Sequence, residues 1–515
     1  MRDLVEGSSR RRRLLLGPPG CGKTHNLIQL VQIALENGIP PDRIGFVSYT
    51  RKAVEEARSR AGAAFNLTNK DMPYFRTLHS FAFRALGLTA SQVMNGSDWS
   101  EFGKSLGIDM AGVDYRAAED GLILPQSLGG DRYINMIERS KMRCIPLEQE
   151  FSEVAQWDMS LPFLRKISAE LEVFKSAYGK VTFVDMIDTF VKIGEAPRLE
   201  VLIIDEAQDL TPLQWQMAEI LIENARVVVI AGDDDQCIHR WAGVNVKLFM
   251  NCAQDRQVLT QSYRLTQPVF DVAAGVVKRI RTRLPKDYHP NDKPGSVSRA
   301  MGRRYLDLRE GSWTCISRTN KYAREWASQL WYDGYFYSLY GKSSVDPKLA
   351  AAIHAWRNLQ SGKALFPGQV KQLYETLPKS GDAAAVRRGA TKLLEAMDPT
   401  ARYDYDALCK EFGLLAARDN DALDVLRVGK DVAEYIRSLE RRGEDISSTP
   451  RIKLSTIHAM KGGEDENVAV DLSSTKACVN SQFPDDEHRT FYVGVTRAKT
   501  NLHLVHSDKE YRYVV

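Results

Sequence analysis

Short apolar runs ending in glycine or acid alternate along this chain with stretches where apolar residues recur every three or four positions. Leu14–Leu16 leads into a glycine loop, and Leu27, Leu30, Val31 and Ala34 then follow at helical spacing. Ile44–Val47 reads as a second strand, with a helix starting near Ala53–Ala57. Val201–Ile204 and Val227–Ile230 read as buried strands, each followed by acidic residues. Strands that alternate with helices predict a parallel sheet covered on both faces, with ligands at the carboxyl ends of the strands. Between about Leu86 and Ser176 the pattern turns helical. A second α/β region starts at Leu259 and includes Trp313–Ile316, Tyr335–Tyr340, Ile452–Thr456, Val468–Leu472 and Leu502–Val505. It is interrupted by a helical, charged stretch from about Val345 to Ile446. The expected division is 1–85 with 176–258 as one α/β domain carrying insertion 86–175, and 259–345 with 447–515 as a second carrying insertion 346–446. Neither a sequence repeat nor a low-complexity tract interrupts this plan.

Composition narrows the classes. An apolar fraction of 43% over 515 residues is ample for packed cores. The net charge of +4 does not by itself point to nucleic acid, so any basic track is local. Seven scattered cysteines without a C-x-x-C pair argue against a zinc ribbon or an iron–sulfur cluster and fit a reducing compartment. The nine histidines show no metal-ligand spacing. The longest apolar runs are far shorter than a membrane span requires. Arg10–Arg13 either touches phosphate or is the solvated start of a strand.

The chemistry is most legible at Gly17-Pro18-Pro19-Gly20-Cys21-Gly22-Lys23-Thr24, followed by His25. This fits the phosphate-loop pattern G-x-x-x-x-G-K-S/T, after a strand and before a helix. Glycines let backbone N–H groups close around phosphates, and the helix adds its positive end. Lys23 is expected to neutralise β/γ-phosphate charge and Thr24 to hold Mg²⁺. Val201–Ile204 then runs into Asp205-Glu206. Asp205 is the expected second metal-side ligand and Glu206 the expected general base for water. A nucleoside triphosphate and Mg²⁺ are therefore the expected substrate and ion.

At Asp205-Glu206-Ala207-Gln208-Asp209 the chain resembles superfamily 1 helicases, and the remaining motifs narrow this to the UvrD/PcrA/Rep group (superfamily 1A). Ser48-Tyr49-Thr50-Arg51-Lys52-Ala53 resembles its T-F-T-N-K-A segment, and Thr77-Leu78-His79-Ser80 its T-F-H-S. Gly232-Asp233-Asp234-Asp235-Gln236-Cys237-Ile238-His239-Arg240-Trp241 resembles G-D-x-D-Q-S-I-Y-x-W. Leu259–Arg264 resembles L-x-Q-N-Y-R, Thr456–Glu464 resembles T-x-H-x-x-K-G-L-E, and Tyr492–Ala498 resembles Y-V-G-x-T-R-A. The motifs stand in family order along nearly the whole chain. The resemblance implies two RecA-like parallel-sheet domains, each with a helical insertion, and ATP hydrolysed between them. It implies Arg264 and Arg497 as cations on the γ-phosphate, Tyr263 stacked on adenine, Glu464 on the ribose and Gln236 sensing the γ-phosphate.

A sequence-tolerant track needs basic groups and aromatic platforms. Trp241 and Tyr49 occupy the family's stacking positions; the polar stretch Cys237–Gly243 around Trp241 favours a platform, whereas Tyr49 at a strand end is as readily a core aromatic. Thr50, Arg51, His79 and Thr456 are expected at phosphates, and His458 on the track or the coupling path. The implied activity is a 3′→5′ DNA helicase acting on single strands and single-strand/duplex junctions, with replication or repair proteins as partners. It is expected to be a monomer, free of membranes, in the cytoplasm of a bacterium or a phage-infected host. Two rival readings are a translocase that strips proteins from DNA, and an ATP-gated DNA-binding switch. Several departures stand out. The family's adenine-reading glutamine has no counterpart ahead of Gly17, so Asn26 or the Arg10–Arg13 region substitutes or selectivity relaxes. His239 and Gly463 replace a usual tyrosine and leucine. The second insertion is short, and the family's longer tail after Lys499 is absent. These suggest a compact version of phage or mobile-element type.

Overall fold

Alternate residues of a strand point to opposite faces, and a parallel sheet buries both. That is why the apolar runs here are continuous. The computed structural model describes residues 10–49, 51–110, 129–154, 158–381, 384–506 and 509–515. Its first sheet holds β1 (Arg11–Leu16), β2 (Ile44–Ser48), β3 (Phe75–Thr77), β4 (Leu199–Asp205), β5 (Ala225–Gly232) and β6 (Asp255–Val258). They lie in the order β3-β2-β4-β5-β1-β6, all parallel. Leu15, Phe46, Val201, Ile203, Val227 and Val229 face the helix Lys23–Glu36 through its Leu27, Leu30, Val31 and Ala34. Leu14, Leu16, Val47, Leu202, Ile204, Val228 and Ile230 face the other way, onto Trp215, Met217 and Leu221 of the helix Pro212–Glu223. Each such aliphatic side chain contributes about 1.5–3 kcal/mol on full burial. The carboxyl ends of β1, β4 and β5 therefore share one rim, and the acidic and glycine-rich loops fall there.

β7 (Gln261–Thr266) and β8 (His289–Asn291) pair parallel in a small separate sheet. The third sheet holds β9 (Ser296–Ala300), β10 (Trp313–Ser317), β11 (Tyr337–Leu339), β12 (Lys342–Ser343), β13 (Ile452–Thr456), β14 (Asp465–Asp471) and β15 (Ala498–Val505). Its order is β12-β11-β13-β10-β14-β15-β9, parallel except for the β11–β12 hairpin. That hairpin turns at Tyr340 and Gly341, both at positive φ. The strand expected over Tyr335–Tyr340 is thus shorter than its aromatic run. The mixed α/β architecture on parallel sheets is as expected.

The chain divides into two compact units. One holds the chain up to Gly295 with Asn480–Thr496 and Val515; the other holds Ser296–Val479 and Arg497–Val514. Residues 259–295 and 480–496 pack in the first unit. Each unit carries helices outside its sheet. In the first, Gly96–Leu106, Asp131–Arg143 and Leu161–Tyr178 enclose Trp99, Phe102, Ile134, Ile137, Leu164, Ile167 and Leu171. In the second, Pro347–Gln360, Pro367–Thr376 and Lys430–Arg441 share a core with β10 and β13 that includes Trp356, Tyr374 and Leu439. No described helix is long and apolar enough to cross a membrane.

A charged knot ties two helices of the first insertion to the helix Phe183–Ile193. Lys175 Nζ bonds Asp185 Oδ2 at 2.6 Å, and Lys141 Nζ bonds Asp185 Oδ1 at 2.9 Å. Glu138 is buried beside them and accepts the Thr182 hydroxyl at 3.0 Å. Burial, reinforced by the Asp185 charge, pushes Glu138 up to about 7. An acid that keeps its proton to higher pH in the folded chain than in the unfolded loses stability as pH rises between those two values. Glu138→Gln, which mimics the protonated acid, is expected to raise stability by about 3 kcal/mol at pH 8. The gain should vanish toward pH 4.5, and thermal or urea midpoints across pH check it.

Candidate nucleotide and nucleic-acid site

The loop after β1 closes tightly because its glycines adopt conformations other residues resist. Gly20 and Gly22 have φ of 74° and 71°. Gly17 N donates to Gly232 O at 3.0 Å, tying the loop to the end of β5. Gly22 caps the helix Lys23–Glu36 without any side-chain bond, so the cap residue supplies no side-chain acceptor to the helix's first N–H groups. Lys23 folds back over Gly17, with Nζ 2.9 Å from Gly17 O and 3.8 Å from Glu206 Oε1. A Cβ on Gly17 would stand 1.9 Å from Lys23 Cγ, so only glycine fits beneath that lysine. Pro18 and Pro19 are nearly or wholly enclosed, Thr24 is half-buried in the first turn and His25 is exposed. Cys21 is buried, which pushes its thiol up to about 12 and keeps it protonated.

Opposite the lysine, β4 ends in the acidic pair. Asp205 is 1% exposed; its Oδ1 accepts Glu206 N at 2.9 Å, and its Oδ2 has no hydrogen-bond partner. Burial first, and the Glu206 charge second, raise its pKa. A buried carboxylate oxygen without a partner costs about 1–3 kcal/mol, which a cation relieves. The donor set of Thr24 hydroxyl and Asp205 carboxylate suits Mg²⁺, a hard ion that takes oxygen ligands. Glu206 sits at φ 52°, an uncommon conformation for a non-glycine residue.

Gln208, quoted above only as part of a motif, has a defined place. Its Nε2 donates to Glu206 Oε2 at 2.6 Å and to Asp209 Oδ2 at 3.0 Å, while its Oε1 accepts Asp233 N at 3.0 Å. It bridges the ends of β4 and β5. A Cβ at Gly232 would meet its Oε1 at 2.2 Å. Gln236 is held by Asp233, with Nε2 to Oδ2 at 2.8 Å.

β7 is stitched directly to the phosphate loop. Ser262 Oγ donates to Pro19 O at 2.7 Å, and Tyr263 N to Gly20 O at 2.9 Å. A Cβ on Gly20 would lie 2.3 Å from Arg264 Cβ. Arg264 Nη1 reaches Thr496 O at 3.3 Å. The Tyr263 ring is 70% exposed beside Gly22, an unusual state for a large aromatic and a ready stacking surface. Ser262 carried no sequence signal beyond its motif. Asn26 is turned onto Gly22 O at 3.0 Å. Arg10 bonds Ala225 O, Arg12 pairs twice with Glu219, and Arg13 pairs with Asp255. Those three arginines brace strand edges.

Lys23, Thr24, Asp205, Glu206, Gln236, Tyr263 and Arg264 are thus gathered in the first unit. Arg497, Glu464, Thr456 and His458 belong to the second. There, buried Arg497 donates to Gly463 O at 3.1 Å, and exposed Glu464 pairs with Lys499 at 3.0 Å. Thr456 ends β13, and its hydroxyl accepts Ala459 N at 3.2 Å; His458 is half-buried just beyond it.

Among the expected track residues of the first unit, Trp241 is half-buried. An aromatic file runs from Tyr49 to His239 (6.2 Å between ring centroids) and on to Trp241 (6.0 Å). Tyr49 also packs on the core below the sheet. Arg139 Nη1 holds the Trp241 carbonyl at 2.8 Å, and fully buried Glu150 grips both Arg139 and Arg143. Arg51 is exposed. His79 lies half-buried against Phe183, and burial pushes it down to about 4, so it is neutral near pH 7. It offers a phosphate an N–H but no charge. Thr50 lies outside the described residues.

A phosphate loop facing an acidic strand end across a parallel sheet is the frame of a P-loop nucleotide hydrolase. The model of the UvrD/REP helicase N-terminal domain matches residues 4–257, and that of the UvrD-like helicase C-terminal domain matches 430–509. The chain is 23% identical over 595 residues to the putative ATP-dependent DNA helicase YjcD of Bacillus subtilis, covering 95% of this chain and 76% of that protein. It is 23% identical over 560 residues to ATP-dependent DNA helicase UvrD2 of Mycobacterium tuberculosis, covering 95% and 76%. With ATP-dependent DNA helicase PcrA of Bacillus subtilis it shares 23% over 307 residues, 56% of this chain and 40% of PcrA. The chain belongs to the UvrD/Rep-like family of ATP-dependent DNA helicases.

Proposed function

We propose that this chain moves 3′→5′ along single-stranded DNA and unwinds the duplex ahead, hydrolysing ATP with Mg²⁺. The observation that carries the reading is the seating of Ser262–Arg264 on the phosphate loop, which sets the exposed Tyr263 ring beside Gly22 and the Cβ of Arg264 against Gly20. Lys23 and the helix N-terminus hold the phosphates. Thr24 and Asp205 would hold the ion, which would supply positive charge to the phosphates. Glu206 takes the proton of the attacking water, Gln236 senses the γ-phosphate, and Tyr263 stacks on the base. Arg264 and Arg497 supply positive charge as the transition state forms. Arg497, Glu464, Thr456 and His458 take their parts by motif, as do Arg51, Thr50 and His79 on the track. The functional parts are 1–85 with 176–258, 86–175, 259–345 with 447–515, and 346–446.

The test is unwinding of 3′-tailed, 5′-tailed and RNA-tailed duplexes, with Lys23→Ala as the blank. Selective unwinding of the 3′-tailed DNA is expected; preference for the 5′ tail, or ATP turnover indifferent to DNA, rejects the reading. Trp241→Ala is expected to remove one stacking platform, worth about 1–3 kcal/mol of single-strand affinity. Fluorescence titration with oligonucleotides checks this, and basal nucleotide binding should be unaffected.

A further inference from the structure

Directly after β5 the chain buries three consecutive carboxylates. Oxygens of Asp233, Asp234 and Asp235 lie within 4.8 Å of one another, and all three residues are fully enclosed. Like charges that close are held together by a cation or else take up protons. The cation is part of the chain. Lys286 Nζ stands 3.1 Å from Asp233 Oδ1, 2.5 Å from Asp234 Oδ1 and 2.8 Å from Asp235 Oδ2, with its side chain wholly buried. An ammonium has three N–H donors, and here each faces a different carboxylate. Arg283 adds two bonds to Asp235 at 2.9 and 2.7 Å, and Leu284 N donates to Asp234 Oδ2 at 2.7 Å. The segment carrying these groups is braced in turn by the helix Pro484–Val495. Arg489 bonds Asp234 O and Thr282 O, and Asp485 accepts Arg281 N and Thr282 N.

Asp233 faces two ways. One oxygen takes the Lys286 ammonium, and the other takes the Gln236 carboxamide at 2.8 Å. We propose that Lys286 is a positioning residue for ATP hydrolysis: a built-in ammonium that fills the place of a metal ion among the three aspartates and, through Asp233, fixes the orientation of Gln236. The proposal rests on the reading of Gln236 as the γ-phosphate sensor. A tethered cation suits this task for a physical reason. It cannot dissociate as free Mg²⁺ varies, and it leaves the aspartates no capacity to compete with Asp205 for the ion that accompanies ATP.

A double-mutant cycle on the full chain tests it, because only residues acting through one another give non-additive effects. DNA-stimulated kcat is measured for wild type, Gln236→Ala, Lys286→Ala and the double variant, with affinity for a fluorescent ATP analogue alongside. Each single variant is expected to lower kcat at least about tenfold with nucleotide affinity changed less than about threefold, and the double variant to be no slower than the slower single. Multiplying effects, or Lys286→Ala turning over at the wild-type rate, overturns the proposal. Gln236→Ala turning over at the wild-type rate overturns the sensor reading itself, and the inference with it. If Lys286→Ala does not fold, the cycle is run on Lys286→Ala/Asp234→Asn, which removes one buried anion with the cation, and the same outcomes decide.

Discussion

Arg264→Ala is expected to lower DNA-stimulated ATP turnover by about 10³-fold, the lower end of what an arginine finger contributes. The stem of Arg264 rests against Gly20, so the guanidinium is anchored within the phosphate loop's own unit. Charge on the transferring phosphoryl group grows toward the transition state, so the loss should fall on kcat, with nucleotide affinity changing far less. Arg264→Lys should restore little, because a point charge does not replace a planar fork with several donors. Steady-state kcat with saturating oligonucleotide, and equilibrium binding of a nucleotide analogue, separate the two quantities. A fall below tenfold would assign the transition-state charge elsewhere.

Glu206→Gln is expected to reduce turnover by about 10²–10⁴-fold, the usual contribution of a general base. The substitution keeps shape, and the amide oxygen still accepts the Gln208 bond that Glu206 Oε2 takes at 2.6 Å. It also removes the negative charge that, after burial, raises the pKa of Asp205. Asp205 should therefore ionise more readily in the variant, and ion-dependent nucleotide binding should persist or tighten while phosphate release stops. Rapid-mixing measurement of phosphate release, set beside equilibrium nucleotide binding, checks both halves. Loss of binding together with turnover would give Glu206 a ground-state role instead.

The chain's local chemistry was readable where a physical rule acts over few residues. Leu14–Leu16, Val201–Ile204 and Val227–Ile230 are strands in the structure because a parallel strand buried on both faces must be apolar throughout. The phosphate loop was readable because its glycines answer to backbone conformation alone, as Gly20 and Gly22 show. β6 and β7 carried no comparable signal, since their residues are largely exposed or polar and their pairing comes from neighbours.

Sequence by itself marked the residues proposed here to bind phosphate, hold an ion and take a proton, because those expectations follow from residue type and short spacing. Tertiary structure alone decided which of them are engaged elsewhere. Arg12 and Arg13 are committed to Glu219 and Asp255, and His79 is neutral because it is buried against Phe183. Lys286 reaches three aspartates some fifty positions away, and Arg139 holds Trp241 from across a different helix. Charge state and partner choice depend on burial and on contacts between segments far apart in the chain, and hydrophobic period does not encode either.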